Sequence, residues 1–162
     1  MTRPMDSRQA FGTFGAMIAL LPPLALVARI SVGDVFHRPN ELTPLIVGAA
    51  MVSSIVAYKL GRGYVAGALS YVSKFSFPNR IALWAIIGLF WGAISGAAGG
   101  LVIVLIGSIF AAIAGGVIGF IAVPIMFALH SSIRVGDLIE TKHFLPIAFG
   151  VTLSICALIL GL

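Results

Sequence analysis

The sequence predicts an all-α, polytopic helical membrane protein with five transmembrane spans, one short interfacial amphipathic helix and a glycine-zipper helical hairpin. Three observations predict it. The 162 residues are 60% hydrophobic and only 9% charged, whereas a soluble domain carries about a quarter charged residues. Several apolar runs reach the roughly 20 residues of helix that cross a hydrocarbon core about 30 Å thick. Glycine recurs at every fourth position through "GLFWGAISGAAGG", residues 88 to 100. The chain reads as a single transmembrane domain, 1–162.

The opening, "MTRPMDSRQAFGTFGAMIALLPPLALVARI", has the basic start and apolar stretch of a signal peptide. Its apolar part is long, contains Pro22-Pro23, and is followed by no small-x-small cleavage site, so it is expected to be retained as span 1, about 11–28. Arg29 follows where a long side chain can snorkel to the headgroups. Span 2, about 43–60, is expected to open at Thr43-Pro44, with threonine as N-cap and proline in the first turn. Next, "GYVAGALSYVSKFSF" is too short and too mixed to cross. On a helical wheel Tyr64, Ala68, Tyr71, Val72 and Phe75 share one face, opposite Arg62, Ser70, Ser73 and Lys74. That pattern predicts a helix lying in the interface, about 63–77. Lys59, Arg62, Tyr64, Tyr71, Lys74 and Arg80 form the expected lipid-interface set.

Residues 81 to 129 carry no charge. A single helix of that length would far exceed a bilayer's thickness, so the run must fold back once. Gly99-Gly100 and Gly107-Ser108 are both candidate turns, giving spans of about 81–104 and 106–130. The last span covers about 144–162, and five crossings put the termini on opposite sides. With the N-terminus cytoplasmic, inside segments hold Arg3, Arg8, Lys59, Arg62, Lys74, Arg80, Arg134 and Lys142, and outside segments only Arg29 and Arg38. The positive-inside rule therefore favours a cytoplasmic N-terminus and periplasmic C-terminus in a bacterial inner membrane. Tyr58, Tyr64, Tyr71 and Trp84 are expected as a cytoplasmic aromatic belt.

Glycine weakens a helix, so its repetition along one side needs a reason. Lipid tails are as apolar as leucine, and membrane helices associate through close packing at small residues. Gly88, Gly92, Gly96 and Gly100 form one series, and Gly107, Ala111, Gly115 and Gly119 a second. The two can meet as an antiparallel hairpin, or serve as an oligomer surface or pore wall. Pro22, Pro23 and Pro124 are candidate hinges, because proline leaves the carbonyl four residues earlier without its helical partner.

Candidate chemistry is sparse. Asp137, Glu140 and His143 stand at three-residue spacing, with His130 nearby, and are weak candidates for a metal site. The competing reading is a capping box, Asp137 as N-cap and Glu140 three later, opening the last span. Ser95 in "GAISG" together with His130 suggests an intramembrane hydrolase dyad only faintly, since a serine in a zipper usually bonds its own helix. Cys156 has no partner cysteine. All five acids, Asp6, Asp34, Glu41, Asp137 and Glu140, lie outside the spans, where a proton-coupled carrier usually keeps one inside. The net charge of +5 is spread between apolar runs, so lipid headgroups rather than nucleic acid are its expected partner. No cofactor is expected. The expected function is a small non-catalytic membrane subunit or scaffold, associating with itself or a larger complex by glycine-zipper packing. An uncoupled channel formed by a homo-oligomer is the alternative, and a membrane-embedded enzyme acting through the 134–143 loop comes third.

Overall fold

The computed structural model describes residues 4–32, 39–103, 105–133 and 138–161. Arg3, Asp34, Arg38, Arg134 and Asp137 lie outside the described residues. Among the described residues five helices are long and apolar enough to span a membrane: Ser7–Leu26, Thr43–Val72, Phe77–Gly100, Leu105–Ile133 and Thr141–Leu160. The chain is thus an integral membrane protein associated with a lipid bilayer.

A short strand, β1 (Pro4–Asp6), leads into helix α1 (Ser7–Val32). Asp6 caps α1, its Oδ1 accepting the Gln9 N–H at 2.7 Å, which satisfies one of the amides that a helix start leaves bare. α1 then runs without a break through Pro22-Pro23. Helix α2 (Pro39–Leu60) opens earlier than Thr43-Pro44, at a proline whose fixed φ suits the first helical position.

The expected break after residue 60 is absent. The chain passes through a π-helical turn, Gly61–Val65, directly into α3 (Ala66–Val72), with the Ala66 N–H bonded to the Gly61 carbonyl. The separate interfacial helix over 63–77 is therefore replaced by an extension of span 2. Two inward faces explain this. Val65 and Val72 are buried and Ala68 and Leu69 pack against the core, while Tyr64 and Tyr71 stay 79% and 62% exposed. The inward face of α2, marked by Ala50, Ser53 and Ala57, would continue to Tyr64 and Tyr71 on a regular helix, and the π-turn moves it one residue on, to Val65 and Val72. The combined span of 30 residues exceeds what the hydrocarbon needs by about ten.

Helix α4 (Phe77–Gly100) starts after Ser76, an extended N-cap residue, with Pro78 in its first turn. It ends at the first of the two candidate turns. The Val102 and Ile103 amides bond back to the Gly99 and Gly100 carbonyls at 3.0 Å, and Gly107-Ser108 lie inside α5 (Leu105–Ile133). Strand β2 (Leu138–Glu140) pairs antiparallel with β1, Met5 opposite Ile139, and leads into α6 (Thr141–Leu160). The N-cap of α6 is Glu140, without a side-chain cap bond, so the helix opens later than a capping box at Asp137 requires. Neither three-residue strand was anticipated, because such short segments carry no periodicity.

The helices close a ring: α4 packs on α5 most extensively, α5 on α6, α6 on α1, α1 on α2, and α2 on α4. The β1–β2 pair ties the starts of α1 and α6 together at one end. At the other end the Arg29 guanidinium donates to the Ile159 carbonyl, joining the last turns of the same helices. We expect reporters fused before Met1 and after Leu162 to read opposite compartments; a common side would mean that one helix does not cross.

Candidate functional site

The α4–α5 seam is built from backbone. A Cβ added to Gly88, Gly92 or Gly96 would fall within 3.0 Å of the carbonyl oxygen of Gly119, Gly115 or Ala111 respectively. One at Gly100 would meet the Gly107 carbonyl at 2.6 Å. Each step of four along α4 thus meets a step of four along α5. Reciprocal Cβ atoms on Gly115 and Gly119 would strike the Gly92 and Gly88 carbonyls. The partner of Gly96 is Ala111, whose methyl is accommodated because the contact runs through its carbonyl.

A second close approach seats Trp91. Its indole lies in a slot where Cβ atoms on Gly15 of α1 and Gly61 of the π-turn would each come within 3.0 Å of the ring. The indole N–H donates to the Ala57 carbonyl of α2 at 3.0 Å. One side chain on α4 therefore joins α1, α2 and the π-turn. Nearer the α4–α5 turn, Gly99 abuts Ala49 and Ser53 of α2.

The ring interior divides into two halves. Toward the β1–β2 end it is filled: Trp84 is fully buried between Phe11 (centroids 5.6 Å, interplanar 2°) and Phe127 (4.7 Å). Fully buried Phe14, Met126, His130 and Phe144 complete the plug. Trp84 thus belongs to the core and not to an aromatic belt. Toward the opposite end the helices leave a half-open apolar cavity of about 670 Å³, to which all five long helices contribute. Its wall combines Pro22 and Pro23, the exposed edges of Gly92, Gly96 and Gly115, and the methyls of Ala49 and Ala50. α6 reaches it only through Ile159.

The predicted hinges are parts of uninterrupted helices: Pro22 and Pro23 in α1, Pro124 in α5. Ile18 and Ala19, whose carbonyls the proline pair deprives of helical donors, line the cavity beside it. Among the lipid-interface set, Lys59, Arg62, Tyr64, Tyr71 and Lys74 are exposed and Arg80 is half-buried.

Among the described residues no group of three or more histidine, cysteine, aspartate or glutamate side chains is placed to hold a metal. Glu140 instead pairs with Lys142 at 2.7 Å and with His143 Nδ1 at 3.4 Å, all three more than half exposed. Such surface pairs contribute little stability. The Lys142 hydrogen bond and charge, with a smaller contribution from His143, hold the Glu140 carboxyl below its ordinary value. With the folded value depressed, the pairing is in force above the unfolded pKa and is lost as pH falls through the folded one. We expect an NMR titration to give Glu140 a midpoint below that of a model glutamate, moving up in Lys142→Gln; an unmoved midpoint would remove Lys142 as the cause.

Ser95 and His130 are not brought together. Ser95 is level with Ala112 across the seam, and His130 lies 18 residues further along α5, on the order of 27 Å at 1.5 Å per residue. The Ser95 hydroxyl donates to the Trp91 carbonyl of its own helix at 2.8 Å, and His130 packs on Phe11. Sequence reasoning missed the plug and the Trp91 slot. The signal available for the slot was the pair Gly12 and Gly15 on α1 with Gly61, too irregular to read as a series. No protein-family model, curated protein or solved structure matches the chain.

Proposed function

We propose that the chain is a small, non-catalytic integral membrane subunit, a scaffold whose rigid member is a glycine zipper closed within the α4–α5 hairpin. The observation that carries this reading is the backbone contact sustained over four successive steps of the seam. Two helices in such contact cannot slide without carbonyls striking α-carbons, which suits a strut better than a moving gate. Span hydroxyls are engaged on backbone carbonyls: Ser95 on Trp91, Thr152 on Ala148 and Ser154 on Gly150 of their own helices, and Ser54 of α2 on Ala16 of α1. None of these is poised as a nucleophile.

Because the small-residue rows face each other, association with itself or with a larger complex uses other faces. The outward sides of α4 and α5 present bulky residues such as Phe90, Ile94, Phe110 and Ile113. The proposed setting is a bacterial inner membrane with a cytoplasmic N-terminus, on the strength of the basic-residue asymmetry. Purification in mild detergent, followed by mass spectrometry of whatever accompanies the chain, tests the proposal. A stoichiometric companion or defined homo-oligomer is expected; a solitary monomer in every detergent and in native nanodiscs would defeat it.

The apolar cavity favours a second reading, an uncoupled channel or facilitator. The plug of Phe11, Trp84, Phe127 and Phe144 stands across the only half of the ring that lacks the cavity, so a path through one chain requires those rings to part. We expect purified protein in liposomes to pass small solutes no faster than empty liposomes. Sustained flux would replace the scaffold with the facilitator.

A further inference from the structure

A cleft of about 700 Å³ lies at the β1–β2 end of the bundle, between the first turns of α1 and the junction of α2 with the π-turn. Three cations line it, Arg8 from α1, Lys59 from α2 and Arg62 from the π-turn, around Tyr58. Arg62 Nη1 donates to the Tyr58 hydroxyl at 3.4 Å. None of the three cations forms an ion pair among the described residues, whose ion pairs are those of Glu140 with Lys142 and His143. Asp6, the acid next to Arg8 in sequence, spends Oδ1 on the Gln9 amide. Among the described residues, then, no carboxylate is ion-paired with the three cations that line the cleft.

Its polarity is graded. Arg8 lies in the first turn of α1 and Lys59 and Arg62 flank the junction of α2 with the π-turn, whereas Ala16 lies two turns further into α1 and Ile55 one turn before Lys59. Ser54, at the same depth, donates to the Ala16 carbonyl at 3.0 Å and so seals the inner wall without a spare donor. Gly61 lets the π-turn lie on the Phe11 carbonyl, while Gly63 faces open space at the mouth. A freely soluble anion has no use for the apolar inner wall. An amphiphile with a phosphate at its head matches both ends.

We propose that this cleft is a binding site for an anionic phospholipid, its phosphate held by Arg8, Lys59 and Arg62 and its first acyl carbons lying on Ala16 and Ile55. The proposal rests on the membrane embedding and is independent of the scaffold reading. The shared chemistry is a phosphate, and the test separates a lipid from a free ion.

The full chain in neutral detergent is titrated with phosphatidylglycerol, with phosphatidylcholine of the same acyl chains, or with inorganic phosphate, and retained ligand is read by native mass spectrometry. We expect one phosphatidylglycerol held at least about fivefold more tightly than phosphatidylcholine, with about fivefold lost for each cation removed. Combining Arg8→Gln, Lys59→Gln and Arg62→Gln should abolish the preference, while Lys74→Gln with Lys142→Gln, removing charge outside the cleft, keeps it. If the combined variant aggregates, Arg62→Lys against Arg62→Gln gives the same comparison, lysine retaining the lipid. Equal retention of both lipids, or equal losses in cleft and control variants, overturns the proposal. Phosphate binding without lipid retention assigns the cleft to a free anion and overturns it as well. Loss of lipid with companion proteins still bound leaves the scaffold standing; lipid retention without companions leaves this site standing.

Discussion

Gly92→Leu is expected to leave no folded protein. At this position even a methyl group falls within 3.0 Å of the Gly115 carbonyl, with the Gly116 amide nitrogen at 3.3 Å. Neither neighbour is a side chain that can rotate away, so the two helices must separate. Overpacking a core with movable side chains costs about 1–3 kcal/mol. Here parting the seam also gives up its contacts at Gly88 and Gly96, so the loss should exceed that range. Gly115→Leu should behave alike, because its Cβ meets the Gly92 carbonyl. Gly150→Leu is the matched control: it lies mid-helix in α6 with nothing within 4 Å of its Cβ position, and should alter stability little. Fluorescence-detected size exclusion and thermal unfolding in detergent give the comparison.

Trp91→Ala is expected to cost about 3–5 kcal/mol, the range for deleting a large buried aromatic, with a fall in detergent unfolding temperature as readout. The substitution empties the slot against Gly15 and Gly61 and removes the donor to the Ala57 carbonyl. Because this side chain ties α4 to α1, α2 and the π-turn, the loss should appear as loosening of those helices while the α4–α5 seam persists. Trp91→Phe keeps most of the packing and removes only the N–H, so about 1 kcal/mol is expected from the missing hydrogen bond. Equal behaviour of Phe and Ala would mean that the hydrogen bond, and not the filled slot, holds the four elements together.

Much of this architecture was legible because membrane helices announce themselves by length and apolar content. The rows Gly88, Gly92, Gly96, Gly100 and Gly107, Ala111, Gly115, Gly119 were legible as small-residue faces able to meet in a hairpin, while their register came only from the folded chain. The turn between them was legible only as a choice of two, because glycine both ends helices and packs them. The extension of α2 was not readable: a π-turn adds one residue to a turn and shifts every later position on the wheel, so Tyr64 and Val65 exchange the faces that a regular helix assigns. Trp84 misled for a related reason. A tryptophan near a helix start fits an interfacial belt by composition, and only the tertiary position of Phe11 and Phe127 buries it. The cation-lined cleft joins Arg8 to Lys59 and Arg62, distant in sequence and with no shared motif, so only the folded chain assembles it.

The central claim is that the bare α-carbons of α4 and α5 touch. Selective glycine labelling in a nanodisc, with proton–proton Overhauser spectra of the α-protons, reads that contact directly. The account predicts cross-peaks between Gly92 and Gly115 and between Gly92 and Gly119, whose Cβ position lies 3.2 Å from the Gly92 α-carbon. Cross-peaks from these glycines to lipid acyl chains alone would contradict it.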